Sequence, residues 1–216
     1  MGNTTIDGVF IKWLGNSGFM IKGEGMVVYI DPVNIKDSVP EDEMADLLLI
    51  THEHFGHCDP DSIRKVRKSD CTTLIPEKMS LQFRGDARRI MEGDSLSGEL
   101  SIKGVDIEVV STYDSCENAT SLGKGVGYFM NFEGLGIYHA GHTCIAAEID
   151  SDSIDLAFLP LGADGVMDEE RAAVAAELLR PKYLIPMSYT PESDLDIEKL
   201  TSLVKDKSPS TEIVIL

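Results

Sequence analysis

The chain has 216 residues, 43% of them hydrophobic, which suits a single compact domain over residues 1–216 with a sizeable core. Acidic residues outnumber basic ones 37 to 19 and the net charge is −18, which excludes a broad basic surface for nucleic acid but not a small phosphorylated substrate. No stretch approaches membrane-spanning length and no basic segment leads into a long apolar one, so a cytoplasmic protein with reduced thiols and no membrane partner is expected.

Gly8–Leu14 and Ser17–Lys22 are runs of β-formers separated by Gly15-Asn16, a hairpin signal. After a turn at Gly23-Glu24-Gly25, Met26–Ile30 is an apolar strand closing at Asp31-Pro32. An Asp there either positions a ligand-bearing loop or caps the turn that Pro32 begins. Residues 33–45 are polar and irregular, and Leu47–Ile50 reads as a strand buried on both faces. Asp61–Lys68 has helical composition, with Asp59 or Asp61 as N-cap and Pro60 in the first turn.

Thr72–Pro76 reads as a strand, Pro76–Phe83 as a short helix, and Arg88–Met91, Glu99–Ile102 and Val105–Ser111 as strands. Thr112–Gly127 is a polar loop, long enough to be functional or mobile. Val126–Phe132 and Gly134–His139 make a hairpin about Glu133-Gly134. Asp155–Leu161 is a buried strand, and Met167–Arg180 a helix with charges matching its dipole. Tyr183–Met187 is a strand, Asp194–Lys205 a helix and Thr211–Leu216 a final strand. Strands meander first and alternate with helices later, so two sheets packed face to face with helices outside are expected.

All five histidines fall in two stretches: His52, His54 and His57 in THEHFGH, His139 and His142 in YHAGH. Neutral imidazole is the commonest metal-binding side chain, and a site needs several. If the chain stays extended past Thr51, alternation puts His52 and His54 on one side, and Gly56 lets the backbone turn so that His57 joins them. A histidine-rich surface loop without a ligand is the alternative; the buried strand and the second pair weigh against it. Cys58 and Cys144 each follow a histidine motif and read as soft ligands, redox-sensitive thiols or, preferred here, small buried packing residues.

The sequence resembles the metallo-β-lactamase fold superfamily along nearly its whole length. WLGNSGFMIKGEGMVVYIDP is similar to its opening hairpins, THEHFGHCDP to its T-H-x-H-x-D-H signature and YHAGHT to a later Y-H-A-G-D-T. LAFLPLGADGVMDEERAAVAAELLRPKYLIPMSY resembles the closing strand–helix–strand, which commonly ends P-M-H-Y. The relatives it suggests are metal-dependent hydrolases near the ascorbate-6-phosphate lactonase-like branch. The resemblance implies an α/β fold, a four-layer αββα sandwich of two mixed β-sheets flanked by helices, with a metal site at one edge. The departures fall on ligands: Gly56 replaces the motif aspartate, His142 the bridging aspartate and Ser188 the P-M-H-Y histidine.

A binuclear site needs carboxylate charge between its cations, and both aspartates are gone. The resemblance therefore implies one divalent transition metal, zinc first, with nickel, cobalt or manganese as alternatives, held by His52, His54, His57 and His142. Asp59 or Asp114 is the candidate general base, and His139 a proton-transfer group or a core histidine bonded to backbone. Asp31 is a further candidate for orienting an imidazole. The expected activity is hydrolysis of an ester, lactone or phosphoester in a small anionic substrate. A protein that has lost catalysis and serves in binding or regulation is the alternative, and a homo-oligomer is compatible with either.

Overall fold

The computed structural model describes residues 2–113, 122–162, 165–190 and 195–216. Its first seven strands are β1 (Asn3–Ile6), β2 (Val9–Gly15), β3 (Gly18–Lys22), β4 (Val27–Ile30), β5 (Ala45–Leu49), β6 (Arg67–Pro76) and β7 (Ala87–Ile90). They lie side by side in chain order, antiparallel from β1 to β4 and parallel from β4 to β7. The other seven are β8 (Ser95–Leu96), β9 (Asp106–Tyr113), β10 (Leu122–Phe132), β11 (Leu135–His139), β12 (Leu156–Pro160), β13 (Tyr183–Met187) and β14 (Glu212–Ile213). They form a second sheet in mirrored order, antiparallel from β8 to β11 and parallel from β11 to β14.

Alternation along β5 explains why its sequence is apolar throughout. Leu47 and Leu49 face the second sheet and join a core with Phe19, Tyr128, Phe158 and Ile185. Leu48 and Ile50 face outward, where Ile63 and Val66 of α1 (Pro60–Val66) cover them. Each fully buried leucine there contributes about 2 kcal/mol of transfer free energy. On the far side, α2 (Glu169–Leu179) lays Ala172, Ala173 and Ala176 on Ala157 and Leu159, and α3 (Ile197–Lys207) adds Leu200 and Val204. The result is the expected sandwich of two mixed sheets with helices outside.

Several local expectations are corrected. Residues 76–83 are not a helix, because their carbonyls are tied down from β7: Arg89 Nη1 donates to Met79 O at 2.6 Å and Nη2 to Leu81 O at 3.0 Å. Glu99–Ile102 is not a strand. A single 3₁₀ turn spans Gly98–Leu100, and Ile102 pairs with Val105 across a tight turn at Lys103-Gly104 with positive φ of 52° and 87°. β9 and β10 extend into the expected loop at both ends, leaving residues 114–121, which lie outside the described residues. β1 was not anticipated, although Asp7-Gly8 supplies the positive φ (47° and 87°) that its hairpin needs.

Cys58 and Cys71 are free and buried, but Cys144 is disulfide-bonded, against the expectation of reduced thiols. Cysteines distant in sequence pair only where the fold brings them within reach, so spacing alone does not show it. No helix among the described residues is long and apolar enough to cross a membrane.

Candidate metal centre

β4 and β5 are parallel neighbours, so their C-terminal ends reach the same edge of the first sheet. That places Asp31 beside Thr51. Asp31 has a left-handed φ of 44° and is fully buried. Thr51 N–H donates to its Oδ1 at 2.8 Å, Thr51 Oγ1 to its Oδ2 at 2.5 Å, and His57 Nδ1 lies 2.7 Å from the same Oδ2.

Beyond Thr51 the chain does not stay extended. His54 N–H donates to His52 O at 3.1 Å, and the N–H groups of His57 and Cys58 both donate to His54 O at 2.8 Å. Successive tight turns, rather than strand alternation, gather the histidines, because they satisfy the backbone within the loop itself. Asp59 then caps α1, accepting from Asp61 N–H at 3.2 Å and from Ser62 Oγ at 2.5 Å.

The rings of His52 and His57 lie 4.0 Å apart, His54 is 5.9 Å from His52 and 6.1 Å from His57, and His142 is 5.6 Å from His52 and 6.1 Å from His57. One ring nitrogen each from His52, His54 and His57 can be chosen so that all lie within 4.8 Å of one another. Ligand nitrogens on a tetrahedral zinc sit about 3.3 Å apart, so the three are a modestly open form of such a set. His142 arrives from the end of β11 and borders both His52 and His57. Its Nε2 lies 3.2 Å from where a side chain at Gly165 would begin, and Gly165 has a φ of +76°.

Proton bookkeeping fixes which nitrogens are free. Thr51 gives its hydroxyl proton to Asp31, so its oxygen accepts from His52 Nδ1 at 3.1 Å, and the His52 lone pair is on Nε2. Asp31 accepts from His57 Nδ1, which also leaves Nε2 bare there. Gly56 N–H donates to His54 Nδ1 at 3.3 Å, so that lone pair is engaged by backbone, and an ion taking it would displace this bond. Burial pushes His52 and His57 down to about 3, with neighbouring imidazoles adding to the effect in both. Burial likewise raises Asp31 to about 6. Neutral, oriented imidazoles on a buried carboxylate–threonine support are what a divalent transition metal requires, so the donor set fits.

The second sheet closes over this loop. Val126 N–H donates to Thr51 O at 2.8 Å and Tyr128 Oη to Ile50 O at 2.6 Å. The β2–β3 hairpin tip inserts beside it. Asn16 Nδ2 donates to Gly56 O at 2.6 Å, while Asn16 O accepts from Trp13 Nε1 at 2.8 Å and from Ser188 N–H at 3.0 Å. Ser188 pairs with Ser17 through their hydroxyls at 2.7 Å.

His139 is fully buried; its Nε2–H donates to Ser17 O at 2.9 Å and its Nδ1 accepts from Gly141 N–H at 3.2 Å, so both nitrogens are engaged by backbone. Asp59 is engaged at its helix cap, and Asp114 lies outside the described residues. Sequence reasoning missed Thr51 and Asn16. Thr51 precedes the motif directly, and Asn16 was visible only as a turn residue.

Comparison with known proteins agrees with this geometry. A family model described as the beta-lactamase superfamily domain matches residues 10–188. A UPF0173 metal-dependent hydrolase from Thermococcus kodakarensis is 33% identical over 220 residues, covering 96% of each chain. Another from Pyrococcus abyssi is 31% identical over 217 residues, covering 93% of this chain and 94% of its own. The crystal structure of a proposed metal-dependent hydrolase from Parabacteroides distasonis superposes with a TM-score of 0.77 at 29% identity, over 96% of this chain and 92% of that one. The chain belongs to the β-lactamase superfamily and, within it, to the UPF0173 family.

Proposed function

We propose that this protein is a metal-dependent hydrolase with a mononuclear centre, held by His52, His54, His57 and His142, that acts on an ester, lactone or phosphoester bond of a small anionic substrate. The observation that carries it is the convergence of His52, His54 and His57, with the bare nitrogens of His52 and His57 set by the Asp31–Thr51 support. The names of its UPF0173 relatives support the same chemistry. Once bound, a divalent ion such as zinc supplies Lewis acidity, polarising a substrate oxygen and lowering the pKa of water.

The chain's own part is positional. Asp31 holds His57 by Nδ1, Thr51 holds His52, and the Asn16 amide fixes the backbone at Gly56. Four uncharged ligands leave the ion's charge uncompensated, which favours an anionic substrate.

A second reading has one specific observation behind it: the positions of two family ligands are taken by Gly56 and by Ser188, the latter bonded to Ser17. Such a protein would bind rather than hydrolyse.

Metal analysis of untagged protein purified without chelator, combined with assays on lactones, carboxylic esters and phosphodiesters, separates the two. One equivalent of metal with turnover abolished by His54→Ala is the expected result. Two equivalents would overturn the mononuclear assignment, and a metal-loaded protein inert on every class would favour the binding role.

A further inference from the structure

A cavity of about 560 Å³ lies against the outer side of α1, beginning at Cys58, the residue after His57. Its walls are the end of α1, the start of β6 and the 81–85 loop. Arg64, Arg67, Lys68 and Arg84 line it, and no acidic residue does. In a chain where acids outnumber bases about two to one, that segregation of charge is out of keeping with the rest of the surface. Ile63 and Phe83 supply an apolar wall.

The cations are only partly satisfied from within. Lys68 pairs with Asp46 at 2.8 Å, and Arg64 with the exposed Asp61 at 3.1 Å. Among the described residues, neither Arg67 nor Arg84 has a carboxylate within ion-pair distance. Arg67 Nη2 donates to Arg84 O at 2.9 Å and its guanidinium lies 6.0 Å from the Phe83 ring centre, which ties the 83–85 loop to the start of β6 beside the cavity. Its Nε is buried without a hydrogen-bond partner.

We propose that this cavity is a second ligand site, separate from the metal centre, for a small molecule joining one phosphate or carboxylate group to a flat apolar body. The anionic group meets Arg84, Arg64 and Arg67, and the apolar part lies on Ile63 and Phe83. The Glu53 carboxylate accepts from both Ser80 N–H and Ser80 Oγ, tying the loop that carries His52 and His54 to the residue before Leu81 in the cavity wall.

Calorimetric titration of the full, metal-loaded chain with phenyl phosphate, benzoate, inorganic phosphate and benzyl alcohol tests this. Phenyl phosphate or benzoate should bind more tightly than inorganic phosphate, and benzyl alcohol should not bind. Which of the two anions binds tighter identifies the head group. Arg64→Ser/Arg84→Ser, both at exposed positions, should weaken binding roughly tenfold per lost charge-assisted contact and leave metal content unchanged. His52→Ala/His54→Ala should leave it intact. Binding that survives the arginine changes but vanishes with the histidine changes would place the anion at the metal and overturn the proposal, as would no binding of either aromatic anion.

Discussion

Asn16 and Gly56 show how one side chain can decide what its neighbour tolerates. A Cβ at Gly56 would sit 2.7 Å from Asn16 Nδ2, so the amide occupies the space that an aspartate at this position would need. Gly56→Asp alone should cost about 1–3 kcal/mol in urea unfolding, since the new side chain is crowded against the Asn16 amide. Gly56→Asp/Asn16→Gly should recover most of that loss, helped by the left-handed φ of 49° at residue 16. Additive rather than compensating losses would show that the two do not compete. At Asp31 the expected effect is on affinity: Asp31→Asn should weaken metal binding roughly 10- to 100-fold by releasing His57, measured by chelator competition.

At the scale of elements, β10 presses on the metal loop where it has least room. A Cβ at Gly125 would lie 2.8 Å from both Thr51 O and the His52 Cβ. Backbone cannot yield as a side-chain tip can, so Gly125→Ala should displace the loop. We expect a loss of about 1–3 kcal/mol together with weakened metal binding, whereas Gly134→Ala, in an open turn, should leave metal binding alone.

The same scale shows what could be read in advance. The β2–β3 and β10–β11 hairpins, β13 and an aspartate cap at Asp59 or Asp61 were legible because each depends on local chemistry: turn glycines, alternation, a carboxylate beside a proline. The shape of residues 52–58 was not, because consecutive turns leave no periodic signature. Nor was the fate of residues 76–83, decided by Arg89 reaching back from the next strand. The candidate ligands were visible as residue types, while the nitrogens available on His52 and His57 depended on Thr51 and Asp31 contacts that only the fold creates.

For the whole molecule, the buried histidines make the metal-free protein sensitive to acid. Both protonate in the unfolded chain below about 6.5 but in the native state only near 3, so stability is present above pH 6.5 and is lost as pH falls toward 3. Asp31 acts oppositely between 3.8 and about 6, because the native state there holds a proton that the unfolded chain has released. Two groups with larger shifts outweigh one, so a net loss on the order of a few kcal/mol is expected between pH 6.5 and 4. Denaturant midpoints across that range, with and without zinc, check it. Bound metal should hold the midpoint nearly constant until its ligands protonate, and a flat profile without metal would show that these imidazoles are not neutral.

The mirrored sheets divide the polypeptide cleanly: everything up to β7 builds one layer of strands and everything from β8 onward builds the other. On the proposed ligand set, three donors belong to the first half and His142 alone to the second. A chain nicked at the exposed turn near Gly93 would then be a two-fragment assembly whose cohesion responds to zinc. Replacing His142 by alanine should remove that response while the fragments still associate through their shared apolar interior.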